Sequence, residues 1–171
     1  MGKSYVHVYT GDGKGKTTAA FGLALRAALA GKPVYIGQFI KGMKYSEVGI
    51  EDILENITIE QFGQGCFINR EPTNKDVEMG KEALLKCEEI LKGGKYEVVI
   101  LDEINIALYF KLFTVEEVLN ILKKRDPGVE VILTGRYAPN KLIEFADLVT
   151  EMKEIKHYYT KGVLSREGID V

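Results

Sequence analysis

The segment Thr10-Gly11-Asp12-Gly13-Lys14-Gly15-Lys16-Thr17-Thr18 combines three glycines at alternate positions with two lysines and a run of hydroxyls. That mixture suits a phosphate chain. Such a ligand needs several backbone N–H groups turned inward, a cation against its charge and a hydroxyl that can ligate a metal ion. Glycines let the backbone fold tightly around the anion, and a helix that follows adds the positive end of its dipole. Lys16 would reach phosphate oxygens and Thr17 would ligate magnesium. The usual spacing asks for glycine five positions before Gly15, where Thr10 stands instead, so this is a variant phosphate loop. The plainer alternative is a glycine-rich turn that caps a helix.

Other groups could join it. Asp102-Glu103 closes the apolar run Val98-Val99-Ile100-Leu101 and reads as the acidic end of a Walker B strand, where one carboxylate holds a magnesium shell directly or through water. The alternative is a pair of solvated acids. Arg136, in Leu133-Thr134-Gly135-Arg136, could contact phosphate or substrate, or lie on the surface. Lys41, in Gln38-Phe39-Ile40-Lys41-Gly42, could face the same crevice or be a solvated loop lysine. His7 and His157 are lone histidines, a type more often structural than catalytic. Gln61 to Phe67 has glycine hinges and aromatics that could form a mobile cover or a plain turn. No nucleophile–base pair stands out. Chemistry here would rest on positioning and charge stabilisation, with no proton transfer by the protein.

The elements that must position these residues follow from periodicity. Strands are expected at Tyr5–Tyr9, Val34–Ile40, Asn56–Phe62, Val98–Leu101, Val129–Leu133 and Leu148–Met152. The third alternates Ile57 and Ile59 with Thr58 and Glu60, as a half-exposed edge does. Helices are expected from Thr17 to Ala30, with Ala20, Phe21, Ala24, Leu25 and Ala28 on one face, and from Thr73 to Lys92, with Val77, Leu84, Cys87 and Leu91 on one stripe. Another begins at Thr114 with a capping box to Glu117, and a short one spans Pro139–Phe145. The tail from Lys153 shows no period. Strands alternating with helices imply an α/β fold whose mostly parallel sheet is covered on both faces. Such sheets bind ligands at the carboxyl ends of their strands. Tyr9, Ile36, Leu101 and Leu133, on four of these strands, all lead into polar or glycine-containing clusters there.

Composition narrows the class. The 171 residues carry 23 Lys plus Arg against 25 Asp plus Glu, a net charge of −2, with 46% apolar and 28% charged residues. These are ordinary globular values and fit one domain over 1–171. The charge balance argues against a nucleic-acid partner. No apolar run approaches a membrane span, and no signal-peptide core follows Met1, so a cytoplasmic protein without a membrane partner is expected. Cys66 and Cys87 form no metal-binding pair.

Five motifs together resemble the CobA-type ATP:corrinoid adenosyltransferases: Tyr9 to Gly22, Gln38 to Gly42, Leu101-Asp102-Glu103, Leu133 to Arg136, and a C-terminal set. That set is Ala146 to Met152, Lys156-His157, Gly162 and Gly168-Ile169-Asp170. The resemblance implies a P-loop NTPase-like fold. It implies transfer of the 5′-deoxyadenosyl group of ATP to the Co(I) centre of a reduced corrinoid, with release of triphosphate. Lys16, Thr17 and Glu103 would be catalytic. ATP would be held by Thr10 through Thr18, including Gly11, Asp12, Gly13, Lys14 and Gly15, and by Arg26 and Arg136. Magnesium or manganese would sit on Thr17, Asp102 and Glu103. The corrinoid would meet Lys41, His157 and Gly65-Cys66-Phe67-Ile68, where the family often has Gly-Phe-Thr-Trp; this chain has no Trp. A flavoprotein electron donor and a homodimer are family expectations. Some members carry an N-terminal extension over the partner's site, and this sequence begins at its first strand. The competing readings are a P-loop kinase or NTPase acting on a small-molecule acceptor, and a nucleotide-binding regulatory module.

Overall fold

The computed structural model describes residues 3–41, 46–63 and 71–170. Within them lie six strands: β1 (Val6–Thr10), β2 (Val34–Gln38), β3 (Ile57–Gln61), β4 (Val98–Asp102), β5 (Glu130–Thr134) and β6 (Leu148–Glu151). They form one sheet in the order β3-β2-β4-β5-β1-β6, and every neighbouring pair is parallel. The helices are α1 (Lys16–Leu29), α2 (Asn74–Lys92), α3 (Ile104–Tyr109), α4 (Val115–Lys123) and α5 (Asn140–Phe145). Short 3-10 helices span Ser46–Asp52 and Tyr158–Lys161.

The apolar runs are continuous because both faces of the central sheet are covered. All five residues of β4 are buried. Val98 and Ile100 join the cluster formed with Ala20, Phe21, Ala24 and Ala28 of α1. Val99 and Leu101 join the opposite one, with Leu84, Cys87 and Leu91 of α2, Ile104 of α3 and Val118 and Leu122 of α4. The edges behave differently. β3 is at the edge of the sheet, as expected, and only its Ile57 is buried; Thr58, Ile59, Glu60 and Gln61 are all half-buried, without the alternation. All four residues of β6 are exposed.

Three further details differ from the sequence expectations. Leu25, placed on the buried face of α1, is 42% exposed. It follows Phe21 by one turn but sits on the flank of α1 that borders an open crevice. Strand β2 stops at Gln38, because Ile40 turns to φ 63. The helix α3 had no counterpart in the sequence reading. Six residues are too few to show a period, and Glu103 before it takes φ 60 with no side-chain cap.

Gly80, inside α2, packs against the loop after α3. A β-carbon built there would lie 2.8 Å from Cβ of Leu112, an atom that cannot rotate away. Alanine normally favours a helix over glycine, yet here it overpacks. Gly80→Ala is therefore expected to lower unfolding free energy by about 1–3 kcal/mol, read from urea denaturation; an unchanged or raised midpoint would contradict this packing.

Candidate functional site

The polar ends of β1, β2, β4 and β5 meet at the carboxyl edge of the sheet, as the sequence clusters implied. The phosphate loop leaves β1 and enters α1 there. Gly11 and Gly15 take φ 95 and φ 117, a left-handed conformation that disfavours side chains. The loop is backed by the segment after β6: Gly13 N–H donates to the Met152 carbonyl at 2.6 Å, and Met152 N–H donates to the Thr10 carbonyl at 2.8 Å. A β-carbon at Gly13 would fall 2.6 Å from that Met152 oxygen.

The start of α1 contrasts with the other long helices. Thr73 and Asp76 close a capping box on α2, and Thr114 and Glu117 close one on α4, so side chains satisfy amides at those N-termini. At α1 the N-cap is Gly15, with no side-chain cap. Its first N–H groups and dipole are left for an anion. Lys16 is buried and its Nζ donates to the Gly13 carbonyl at 2.7 Å. Desolvation pushes its pKa down, while the nearby Glu103 charge works the other way.

Asp102 anchors the floor. It has no solvent exposure. Oδ1 accepts from Thr17 Oγ1 at 2.9 Å and Thr134 Oγ1 at 2.7 Å; Oδ2 accepts from Gln38 Nε2 at 3.1 Å and Lys41 Nζ at 2.9 Å. Gln38 in turn accepts from Gln61 Nε2 at 2.9 Å. Glu103 is held differently. Its backbone N–H donates to Thr134 Oγ1 at 2.9 Å, and its side chain borders the open crevice.

That crevice measures about 1220 Å³. Gly13, Lys14, Gly15, Lys16, Thr17, Thr18, Lys41, Glu103, Arg136 and His157 all line it, together with Leu25, Ile53, Tyr109 and Tyr137. The structure therefore brings most of the sequence-predicted residues together. Others sit apart from its lining. Thr10 is buried, and its Oγ1 accepts from Ala138 N–H at 3.3 Å. Gly11 packs on Met152 and Asp12 is exposed on the loop. Arg26 is exposed on the last turn of α1, ten residues and so about 15 Å of helix from Lys16. Lys41 lines the crevice while pairing with Asp102 and, at 3.4 Å, Glu47. His157 accepts the Tyr159 N–H on Nδ1 at 3.0 Å. The predicted corrinoid loop Gly65-Cys66-Phe67-Ile68 lies outside the described residues.

The sequence reading did not assign roles to Thr134 and Gln38, although both close strands that it had flagged. Tyr109 and Tyr137 were also missed. Their rings pack 4.5 Å apart beside Arg136, but one lies on the unforeseen α3 and the other in a turn.

A parallel sheet, a glycine loop running into an uncapped helix and a buried acid on the hydroxyl of that helix define a P-loop nucleotide-binding protein. Comparison with known proteins narrows the class. A family model described as ATP:corrinoid adenosyltransferase BtuR/CobO/CobP matches residues 2–171. A corrinoid adenosyltransferase of Sinorhizobium sp is 38% identical over 98% of this chain and 80% of its own length. One from Escherichia coli K12 is 34% identical over 98% and 86%. The corrinoid adenosyltransferase CobA of Salmonella typhimurium is 33% identical over 98% and 86%. The chain belongs to the ATP:corrinoid adenosyltransferase family.

Desolvation, reinforced by the Asp102 charge, raises the pKa of Glu103 above its ordinary 4.5, against the opposing charges of Lys41, Lys16 and Arg136. A carboxyl raised in the folded state binds its proton more tightly there than in the unfolded chain. Its ionisation therefore costs stability as pH rises above about 4.5. Glu103→Gln is expected to melt higher than the parent near neutral pH in metal- and nucleotide-free buffer. The gain should shrink as pH falls toward about 4. A parent that melts at or above the variant at neutral pH would contradict this burial.

Proposed function

We propose that the chain transfers the 5′-deoxyadenosyl group of ATP to the Co(I) centre of a reduced corrinoid and releases triphosphate, in adenosylcobalamin synthesis or salvage. The observation that carries the reading is the phosphate loop of a family member opening onto a large crevice. The histidine that lines this crevice, His157, already has Nδ1 on a backbone N–H.

Co(I) supplies the electron pair for the new cobalt–carbon bond. The C5′–O bond breaks, and its electrons leave on the triphosphate. No group has to be deprotonated, so the protein's work is alignment and stabilisation of the leaving anion. The open amides of α1 and the Lys16 ammonium would meet that charge. Arg136, exposed at the rim, would add a further donor.

The donors beside the loop are a threonine hydroxyl and two carboxylates. Among the described residues no group of three or more His, Cys, Asp or Glu could hold a metal ion. Hard oxygens too few for a cage fit magnesium or manganese arriving with the nucleotide. Thr17 and Glu103 would hold such an ion, with Asp102 orienting Thr17. When bound, the ion would neutralise charge on the leaving triphosphate. Lys41, His157 and the Gly65–Ile68 stretch are the proposed corrinoid side. A homodimer, a cytoplasmic location and a reduced flavoprotein as electron donor complete the reading.

The test is anaerobic: protein, ATP, magnesium and chemically reduced cob(I)alamin, followed by visible spectrum for light-sensitive adenosylcobalamin and by assay for triphosphate. Both products are expected. Lys16→Ala should lower the rate ~100- to 1000-fold, the scale for losing one anion-stabilising donor. ATP binding without a cobalt–carbon product, or release of ADP, would overturn the assignment.

A further inference from the structure

Lys14 stands between two glycines of the loop, where a cation would ordinarily be assigned to phosphate. Its Nζ instead donates to three acceptors of the C-terminal tail: the Ile169 carbonyl at 2.7 Å, the Tyr158 hydroxyl at 3.0 Å and the Asp170 carboxylate. An ammonium carries three protons, and all three are directed at the tail. The tail is braced to receive them. Tyr158 hydroxyl donates to Asp170 Oδ1. Arg166 donates to Asp170 Oδ2 from its backbone N–H at 3.1 Å and its Nε at 3.0 Å. Its guanidinium also lies 4.6 Å from the centre of the Tyr158 ring, and the His157 ring is 4.6 Å from that ring. The hydrogen bonds from Lys14, Tyr158 and Arg166 hold the Asp170 carboxyl far below the usual carboxylate range. Gly168, Ile169 and Asp170 border the crevice itself.

We infer that Asp170 and Tyr158 are positioning residues for the phosphate loop, and that Lys14 is their tether rather than a ligand of the nucleotide. The inference rests on the loop being the ATP site. Alternating glycines give the loop large conformational freedom, which binding would otherwise have to remove. Met152 restrains it from behind at Gly13, and the tail restrains its next residue from the side. With both in place the amides leading into α1 stay open to the triphosphate.

The tether makes Lys14 and Asp170 act as a unit, so their losses must not add. The experiment measures equilibrium binding of ATP with magnesium, and KM and kcat, for the parent, Lys14→Met, Asp170→Asn, Asp170→Glu and the Lys14→Met/Asp170→Asn double variant. Each single loss should weaken ATP binding about tenfold, with the change on KM more than on kcat. The double variant should bind no more weakly than either single one, and Asp170→Glu should recover most of the loss. Tyr158→Phe, which removes only a hydroxyl, should give a smaller loss in the same direction. Asp170→Asn that binds ATP as tightly as the parent, or more tightly, overturns the tether and leaves the ATP site standing. Multiplying losses in the double variant overturn it too. A parent that does not bind ATP overturns the tether and the functional reading together.

Discussion

A carboxylate with no access to water must be met by donors on every side, and the site is built around that requirement at Asp102. An uncompensated buried charge is among the most destabilising features a fold can carry. Here four side chains compensate it, and each comes from a different part of the chain: Thr17 from α1, Thr134 from β5, Gln38 from β2 and Lys41 from the loop beyond it. The register β2-β4-β5 is thus locked by polar contacts at the carboxyl edge as well as by ladder hydrogen bonds. Thr17 cannot sit elsewhere without leaving Oδ1 short of a donor. Charge compensation and placement of the Thr17 hydroxyl are one interaction.

Around that anchor the chain treats helix starts in two ways. Where a helix only packs, at α2 and α4, a capping box closes its first turn. Where α1 meets the crevice, glycine replaces the cap. There Lys16 donates to the Gly13 carbonyl. Burial lowers the affinity of Lys16 for its proton and raises that of Glu103. Both shifts describe a pocket that holds charge reluctantly until an opposite charge enters.

Much of this was legible in the residues. The strands were visible because β4, β2 and β5 are covered on both faces and read as unbroken apolar runs, while β3 at the edge alternates in sequence. The phosphate loop was legible because few other purposes require glycines at 11, 13 and 15 beside two lysines. Less visible were features decided by tertiary contacts. Leu25 fits the buried stripe of α1 by spacing, yet that flank borders the crevice. The helix α3 is too short to show a period. Lys41 was placed by its position after β2, which brought it to the right crevice, but sequence spacing could not reveal its pairing with Asp102. The partners of Lys14 lie more than a hundred positions away, in a tail without periodicity.

The order of assembly follows from where β1 lies. It precedes the other described strands in sequence, yet it is paired between β5 and β6, which follow it by more than a hundred residues. The loop that it carries leans on Met152 and, through Lys14, on Tyr158, Ile169 and Asp170. A growing chain therefore holds its phosphate-binding segment well before the residues that brace it, and long-range pairing of this kind forms slowly. Nucleotide entering this crevice meets a loop whose supports come from residues more than a hundred positions away, so its binding reports on contacts between distant parts of the chain.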